Sequence, residues 1–166
     1  MGNLFLVLLV GTLAVPFGSY AADTLSGSVR VIDGDTLAIG TTRVRIFGID
    51  APEADQTCTT MQGAKWKCGA WVSAEVEKRF GGRQATCEPM AVDRYGRTVA
   101  RCHVNGEDIG ATLVSEGLAF AYRQYSQHYV LAEKGAAVRD VGLHASQVQT
   151  PSEFRGLKAA FPATPG

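Results

Sequence analysis

From Ser26 onward the chain alternates short apolar runs with turn-forming residues, at a period that reads as strands. Ser26–Ile32, Thr36–Ile39 and Arg43–Ile49 are rich in β-branched and aromatic residues. Asp33-Gly34 and Gly40-Thr41-Thr42 between them are too short for crossovers, so the three strands are antiparallel neighbours. Asp50-Ala51-Pro52 stops the third. Ala54–Lys67 is polar and irregular and reads as a loop. Cys68–Phe80 then carries an apolar stripe of Val72, Val76 and Phe80 with Trp71 alongside, a helix ended by Gly81-Gly82.

Arg83–Val92 and Arg97–Val104 flank Asp93–Gly96 as a second hairpin, and Asn105-Gly106 makes another tight turn. Asp108 is placed to cap a short helix, Ile109–Glu116, that stops at Gly117. Leu118–Tyr122 reads as a brief strand. A final helix is expected over Ser126–Val141, ending at Gly142. Residues 146–166 carry Pro151, Pro162 and Pro165 without periodicity, and are expected to be a loosely attached tail. Five strands with a helix between the third and fourth have the order of an OB-fold, a small barrel that binds oligonucleotides on a strand face. Propensity alone does not separate this from another small α+β fold.

The first residues follow a different pattern. Met1–Ala21 has no charged residue, a run Leu4–Val10 that is nearly all apolar, and Ser19-Tyr20-Ala21 as a small-x-small cleavage site. A signal peptide is expected over residues 1–21, although the basic n-region is missing. The competing reading is an uncleaved anchor, but Gly11, Pro16 and Gly18 interrupt the span. Export to the periplasm or medium would leave a domain at 22–145 followed by the tail, with no stable membrane association and a monomeric state.

The 166 residues fit one domain, and 46% apolar content allows a real core. Net charge is zero, so no global basic field draws in nucleic acid. A local group of Arg43, Arg45, Arg94 and Arg97 could still do so inside a cleft. The four cysteines follow no zinc spacing. If Asp93–Gly96 closes a two-residue loop, Cys87 faces Cys102 within disulfide reach, and a bulge at Gly96 would shift that register by one. Cys58 and Cys68 pair by elimination. Reduced core cysteines are the alternative; two bridges would imply an oxidising compartment.

The candidate chemistry gathers between Asp35 and Glu53. Asp35 and Asp50 stand at strand ends, where two carboxylates suit a hard oxygen-loving cation such as Ca²⁺. Taken alone, Asp35 is an ordinary turn residue and Asp50 an ordinary strand terminator. Arg45 alternates with Val44 and Ile46, so it sits at a barrel rim or is buried and paired; a phosphate gripped by its fork would satisfy it. Glu53 has no evident partner and is free to act as a base. Arg97 alone would be solvated surface. His103, His128 and His144 are scattered and carry no site. Tyr122 and Tyr125 could stack on bases, and core packing would explain them equally well.

Three motifs in order, Asp33-Gly34-Asp35-Thr36, Arg45 with Asp50-Ala51-Pro52-Glu53, and Asp93-Arg94-Tyr95-Gly96-Arg97, resemble the staphylococcal-nuclease-like (thermonuclease) family over Gly27–Leu143. The resemblance implies an OB-fold five-stranded barrel with about three helices. It implies Ca²⁺ on Asp35 and Asp50 with the Ala51 carbonyl, where the family's best-known member has Thr. It implies catalytic roles for Arg45, Glu53 and Arg97, with Glu53 either abstracting a proton from the attacking water or orienting it. Arg94 stands where the family often has Lys, and Tyr95 would pack on a nucleotide; Tyr122 is a candidate substrate contact from its place near the barrel mouth rather than from the resemblance. The activity implied is calcium-dependent hydrolysis of DNA or RNA to 3′-phosphate ends. The alternative is a non-catalytic OB-type binding module or an accessory protein of envelope or exopolysaccharide biogenesis.

Overall fold

The computed structural model of the chain describes residues 23–161; the expected signal peptide lies outside them. Strands β1 (Leu25–Val31), β2 (Thr36–Ile39) and β3 (Thr42–Ile46) form an antiparallel meander. A short β4 (Ile49–Asp50) follows, then β5 (Cys58–Thr60) and β6 (Lys65–Trp66), helix α1 (Cys68–Phe80), and the hairpin β7 (Gln84–Val92) and β8 (Thr98–Val104). After them come β9 (Glu107–Asp108), α2 (Ile109–Ser115), β10 (Phe120–Ala121) and α3 (Val130–Val138). A 3₁₀ turn (Gly142–Ala145), β11 (Ser146–Gln147) and α4 (Pro151–Ala160) complete the chain. β1 pairs with β7, and β3 closes the ring by pairing in parallel with β8, Arg45 opposite Val99. The result is a closed five-stranded mixed barrel with four helices, the OB-type α+β fold.

Alternation fills the barrel. Val29, Leu37, Val44, Ile46, Ala100 and Val104 point inward and are buried, and α1 adds Val72, Val76 and Phe80 from its apolar stripe. Each of these valine, leucine, isoleucine and phenylalanine side chains contributes roughly 1.5–3 kcal/mol by leaving water. Helix α1 has no side-chain cap, so Gly69 N–H turns instead to the Gln56 carbonyl at 3.2 Å, which ties the helix start to the loop after Glu53. Asp108 caps α2 as expected, accepting from Ala111 N–H at 3.1 Å.

Cys87 and Cys102 face each other and are bridged, and so are Cys58 and Cys68. The register of the first pair arises differently from the expectation. Asp93 N–H bonds to Arg97 O at 3.0 Å and Gly96, at φ 76°, closes a three-residue loop, which displaces the pairing by one. A bulge between Pro89 and Ala91 then restores it before Cys87.

Four expectations are corrected. The third strand breaks at Phe47-Gly48, because Gly48 at φ 72° turns the chain and β4 pairs with β10 instead. The segment 54–67 is not structureless: β5 and β6 pair within it and β11 adds a third strand. Helix α3 starts only at Val130, since Ser126 N–H is held by Tyr122 O and Ser126 Oγ accepts from His128 N–H. The segment from Ser146 is not a loose tail over the described residues. It forms β11 and then α4, which opens with a capping box between Thr150 and Glu153 and has Pro151 in its first turn.

Candidate functional site

The turn after β1, the end of β3 and the chain around β4 converge at one mouth of the barrel. Asp35 follows an Asx turn in which its N–H bonds to Asp33 Oδ1 at 3.1 Å. Gly34 is required there by space: a Cβ would lie 2.7 Å from Ala51 Cβ and 2.8 Å from Val72 Cγ1. That close approach brings Asp35 Oδ2 within 3.2 Å of Ala51 N–H.

Arg45 is largely but not fully buried, and it is paired. Its Nη1 donates to Asp35 Oδ1 and its Nη2 to Asp50 Oδ1, both at 2.9 Å. Thr36 Oγ1 also donates to Asp35 Oδ1 at 3.0 Å. The two carboxylates are only 5% and 3% exposed. Burial pushes the Asp35 carboxyl up to about 6, with Asp33 and Asp50 adding to the effect and Arg45 and the Ala51 N–H opposing it. Burial likewise pulls Arg45 down, but the charges of Asp35 and Asp50 outweigh it and its pKa is raised.

Glu53 sits on the loop after β4, its N–H 3.3 Å from Gln56 Oε1 and its carbonyl accepting from Gln56 N–H at 2.8 Å. Gln56 is fully buried and also donates to the Gln149 carbonyl at 2.8 Å, which joins this loop to the approach to α4. Arg97, at the foot of β8, is fixed through Nε to Asp93 Oδ2 at 2.7 Å. Burial pushes Asp93 up, but hydrogen bonds from the Arg97 and Tyr95 backbone and the Arg97 side chain outweigh it and hold the carboxyl low. Among the described residues, the terminal nitrogens of Arg97 have no protein partner. Arg94 and Arg97 lie 4.9 and 5.5 Å from the centre of the exposed Tyr95 ring.

Asp35, Arg45, Ala51, Glu53, Arg94, Tyr95, Arg97 and Tyr122 all line one cleft of about 1040 Å³. Asp50 stands behind it, in contact with Arg45 and lining a smaller cavity of about 410 Å³. The geometry thus brings Arg45, Arg94 and Arg97 of the expected arginine group into one cleft with Glu53, whereas Arg43 is exposed and lies outside it. Tyr125, named with Tyr122 from the sequence, also lines the cleft, its ring centre 4.7 Å from that of Tyr122. The cleft also holds residues that sequence reasoning did not assign to a site. Phe47 lines it. Arg155 of α4 reaches in from the supposed tail. Its Nη1 donates to Asp50 Oδ1 at 3.0 Å and Glu53 Oε1 at 2.9 Å, and its Nη2 to Asp50 Oδ2 at 3.0 Å. The signal for α4 was the Thr150-Pro151-x-Glu153 capping box.

The donor set fits a hard divalent cation. Two buried carboxylates meet around one shared guanidinium, and the burial that raises the Asp35 carboxyl is a cost that a bound cation would offset. Among the described residues, no three His, Cys, Asp or Glu side chains converge, so a cation would rest on two carboxylates, a backbone carbonyl and water.

A small barrel with a carboxylate and arginine cleft at its mouth is the class of protein the geometry defines. The chain belongs to the staphylococcal nuclease homologue family, which matches residues 43–146. It is 37% identical over 101 residues to the succinoglycan biosynthesis protein ExoI of Rhizobium meliloti, covering 60% of this chain and 53% of that protein. It thus spans about half the length of that relative. It is 31% identical over 135 residues to an uncharacterized endonuclease of Haemophilus influenzae, covering 76% of this chain and 70% of that protein. It is 30% identical over 128 residues to the thermonuclease of Staphylococcus intermedius, covering 72% and 75% respectively.

Proposed function

We propose that this chain is an exported, calcium-dependent endonuclease that hydrolyses phosphodiester bonds of DNA or RNA to leave 3′-phosphate ends. The observation that carries the reading is the meeting of Arg45, Glu53 and Arg97 in one cleft, backed by the buried Asp35 and Asp50. The endonuclease and thermonuclease names of two relatives agree with it.

Asp35, Asp50 and the Ala51 carbonyl would hold Ca²⁺, which when bound supplies positive charge against the phosphoryl oxygens. The remaining chemistry belongs to the chain. Arg45 uses two of its five N–H donors on carboxylates, leaving three for a phosphate. Arg97 keeps its terminal nitrogens for the same phosphate, and both arginines offset charge that develops as water attacks phosphorus. Glu53 accepts a proton from that water or orients it. The bond from phosphorus to the 5′ oxygen breaks, giving a 3′-phosphate and a 5′-hydroxyl. Tyr95 and Tyr122 line the cleft and offer flat faces to bases, with Arg94 beside Tyr95.

Two disulfides suit a periplasmic or secreted protein, and among the described residues no helix is long and apolar enough to cross a membrane. A monomer suffices for this site, because one chain supplies every residue named.

The test is cleavage of single-stranded DNA by the purified chain across tenfold calcium steps, with an EDTA control and Glu53→Ala. Calcium-dependent cutting that disappears in the variant is expected. No cutting by folded, disulfide-bonded protein would favour the second reading, a non-catalytic accessory role in exopolysaccharide or envelope biogenesis. The name of the Rhizobium relative and the zero net charge support that alternative.

A further inference from the structure

Helix α4 is attached to the body mainly by charge. Of its side chains only Pro151 is buried, while Leu157 is 50% exposed. Its fixed points are Arg155 on Asp50 and Glu53, and Lys158 Nζ on Asp55 Oδ2 at 2.5 Å. Asp50 Oδ1 accepts from both Arg45 and Arg155, and its Oδ2 from Arg155 alone. One carboxylate has about four lone-pair positions, and three are taken by guanidinium donors.

We propose that Arg155 is a resident counter-cation that competes with calcium for Asp50, sets the calcium affinity of the cleft, and is released with α4 as calcium is taken up. This rests on the calcium reading of Asp35 and Asp50 above. A guanidinium stays protonated at any working pH, so Arg155 cannot vacate Asp50 by losing a proton and must be displaced. Two cations on one carboxylate repel, and in a partly buried site salt screens that repulsion poorly. Displacement is feasible because α4 buries so little apolar surface that its docked state is held by pairs which water can replace. Displacement also frees Glu53, whose carboxylate shares the same guanidinium. A phosphate-clamp role fits less well, because three hydrogen bonds commit Arg155 to carboxylates.

The test is calorimetric titration of calcium chloride into the full chain, wild type against Arg155→Ala and Arg155→Lys. Amide hydrogen exchange of α4 with and without calcium accompanies it. Arg155→Ala is expected to bind calcium about tenfold tighter or more, the scale of one unit charge removed from a few ångströms away. Arg155→Lys should fall between, since an ammonium keeps the charge but loses the two-oxygen fork. Exchange over Arg155–Ala160 should quicken in the wild type when calcium is added. Equal or weaker calcium binding by Arg155→Ala, with α4 protection unchanged, overturns the proposal and leaves the nuclease reading standing. A loss of DNA affinity at unchanged calcium affinity overturns it in favour of a phosphate clamp. Absence of calcium binding in every form overturns this proposal and the calcium site together.

Discussion

Arg155 spans both oxygens of Asp50, at 3.0 Å each, from 105 positions further along the chain. Asp50 is thereby the anion between two guanidiniums, because Arg45 holds its Oδ1 from the other side. Arg155 can swing into water, with a side chain 36% exposed, but Arg45 at 15% cannot. Asp50→Asn removes the charge between them and leaves Arg45 with half its compensation. The expected cost is about 1–3 kcal/mol, or roughly 2–12 °C in Tm for a chain of this size. Thermal denaturation followed by circular dichroism measures it, and a melt equal to wild type would contradict the pairing.

Glu53 and Arg97 stand differently, because neither is needed to compensate a buried charge. The Glu53 side chain is 40% exposed, and Asp93 keeps its backbone donors when Arg97 is removed. Glu53→Ala and Arg97→Ala should each lower cleavage about 10²–10³-fold, the usual loss for one positioned catalytic group. Their melting temperatures should stay within about 2 °C of wild type, as for most exposed substitutions. Turnover on single-stranded DNA beside a thermal melt separates the two effects.

Arg45 combines both situations. From sequence alone, Ala at Arg45 is expected to silence the protein without unfolding it, as at Glu53 and Arg97. The structure separates it from them, since Arg45→Ala leaves Asp35 with no guanidinium and strips Asp50 to Arg155 alone. Breaking such a buried pair costs about 3–5 kcal/mol. Arg45→Lys retains the charge but cannot bond two carboxylates and a phosphate in one plane. It should fold and lose activity, whereas Arg45→Ala should lose both. Urea unfolding of the two variants side by side distinguishes them.

The barrel was legible because its signals are local. Asp33-Gly34, the Val72, Val76 and Phe80 stripe and the Asp108 cap each act within one turn or one face. The Cys87–Cys102 pairing was reached through an incorrect loop length, rescued by a bulge near Met90 that no sequence rule placed. The site motifs were legible as residue types in order. What stayed hidden was α4, since hydrophobic periodicity reports burial and this helix buries almost nothing apolar. Its contacts are ion pairs across about a hundred residues, which spacing cannot encode. Only its capping box announced it.

The buried Cys87–Cys102 bridge closes a 15-residue separation between adjacent strands of the barrel. Replacing both cysteines by Ala should cost about 3 kcal/mol, a fall of roughly 6–12 °C in Tm. Cys58 and Cys68 enclose the β5–β6 loop outside the barrel, with a separation of 10. Their loss should cost somewhat less in Tm, since the closed loop is shorter. It should act more on activity, because Cys68 begins α1 beside the Glu53 loop. Melting and cleavage assays on the two double variants give opposite rank orders if this division holds.

Gly69 seats that same loop. A Cβ at position 69 would lie 1.7 Å from the Glu53 carbonyl oxygen and 2.7 Å from its carbon. No rotamer relieves this, because both partners are backbone, so Gly69→Ala must push α1 and the Glu53 loop apart. The move would also stretch the bond from Gly69 N–H to the Gln56 carbonyl, and through Gln56 would disturb Gln149 at the foot of α4. Overpacking of this kind costs about 1–3 kcal/mol. A displacement of about 1 Å in a catalytic group can cost about 10²-fold in rate. Gly69→Ala should therefore fold with a lowered Tm and lose most of its cleavage although no named site residue is itself substituted. Near-normal activity in the folded variant would show that the Glu53 carboxylate need not be held where this loop holds it.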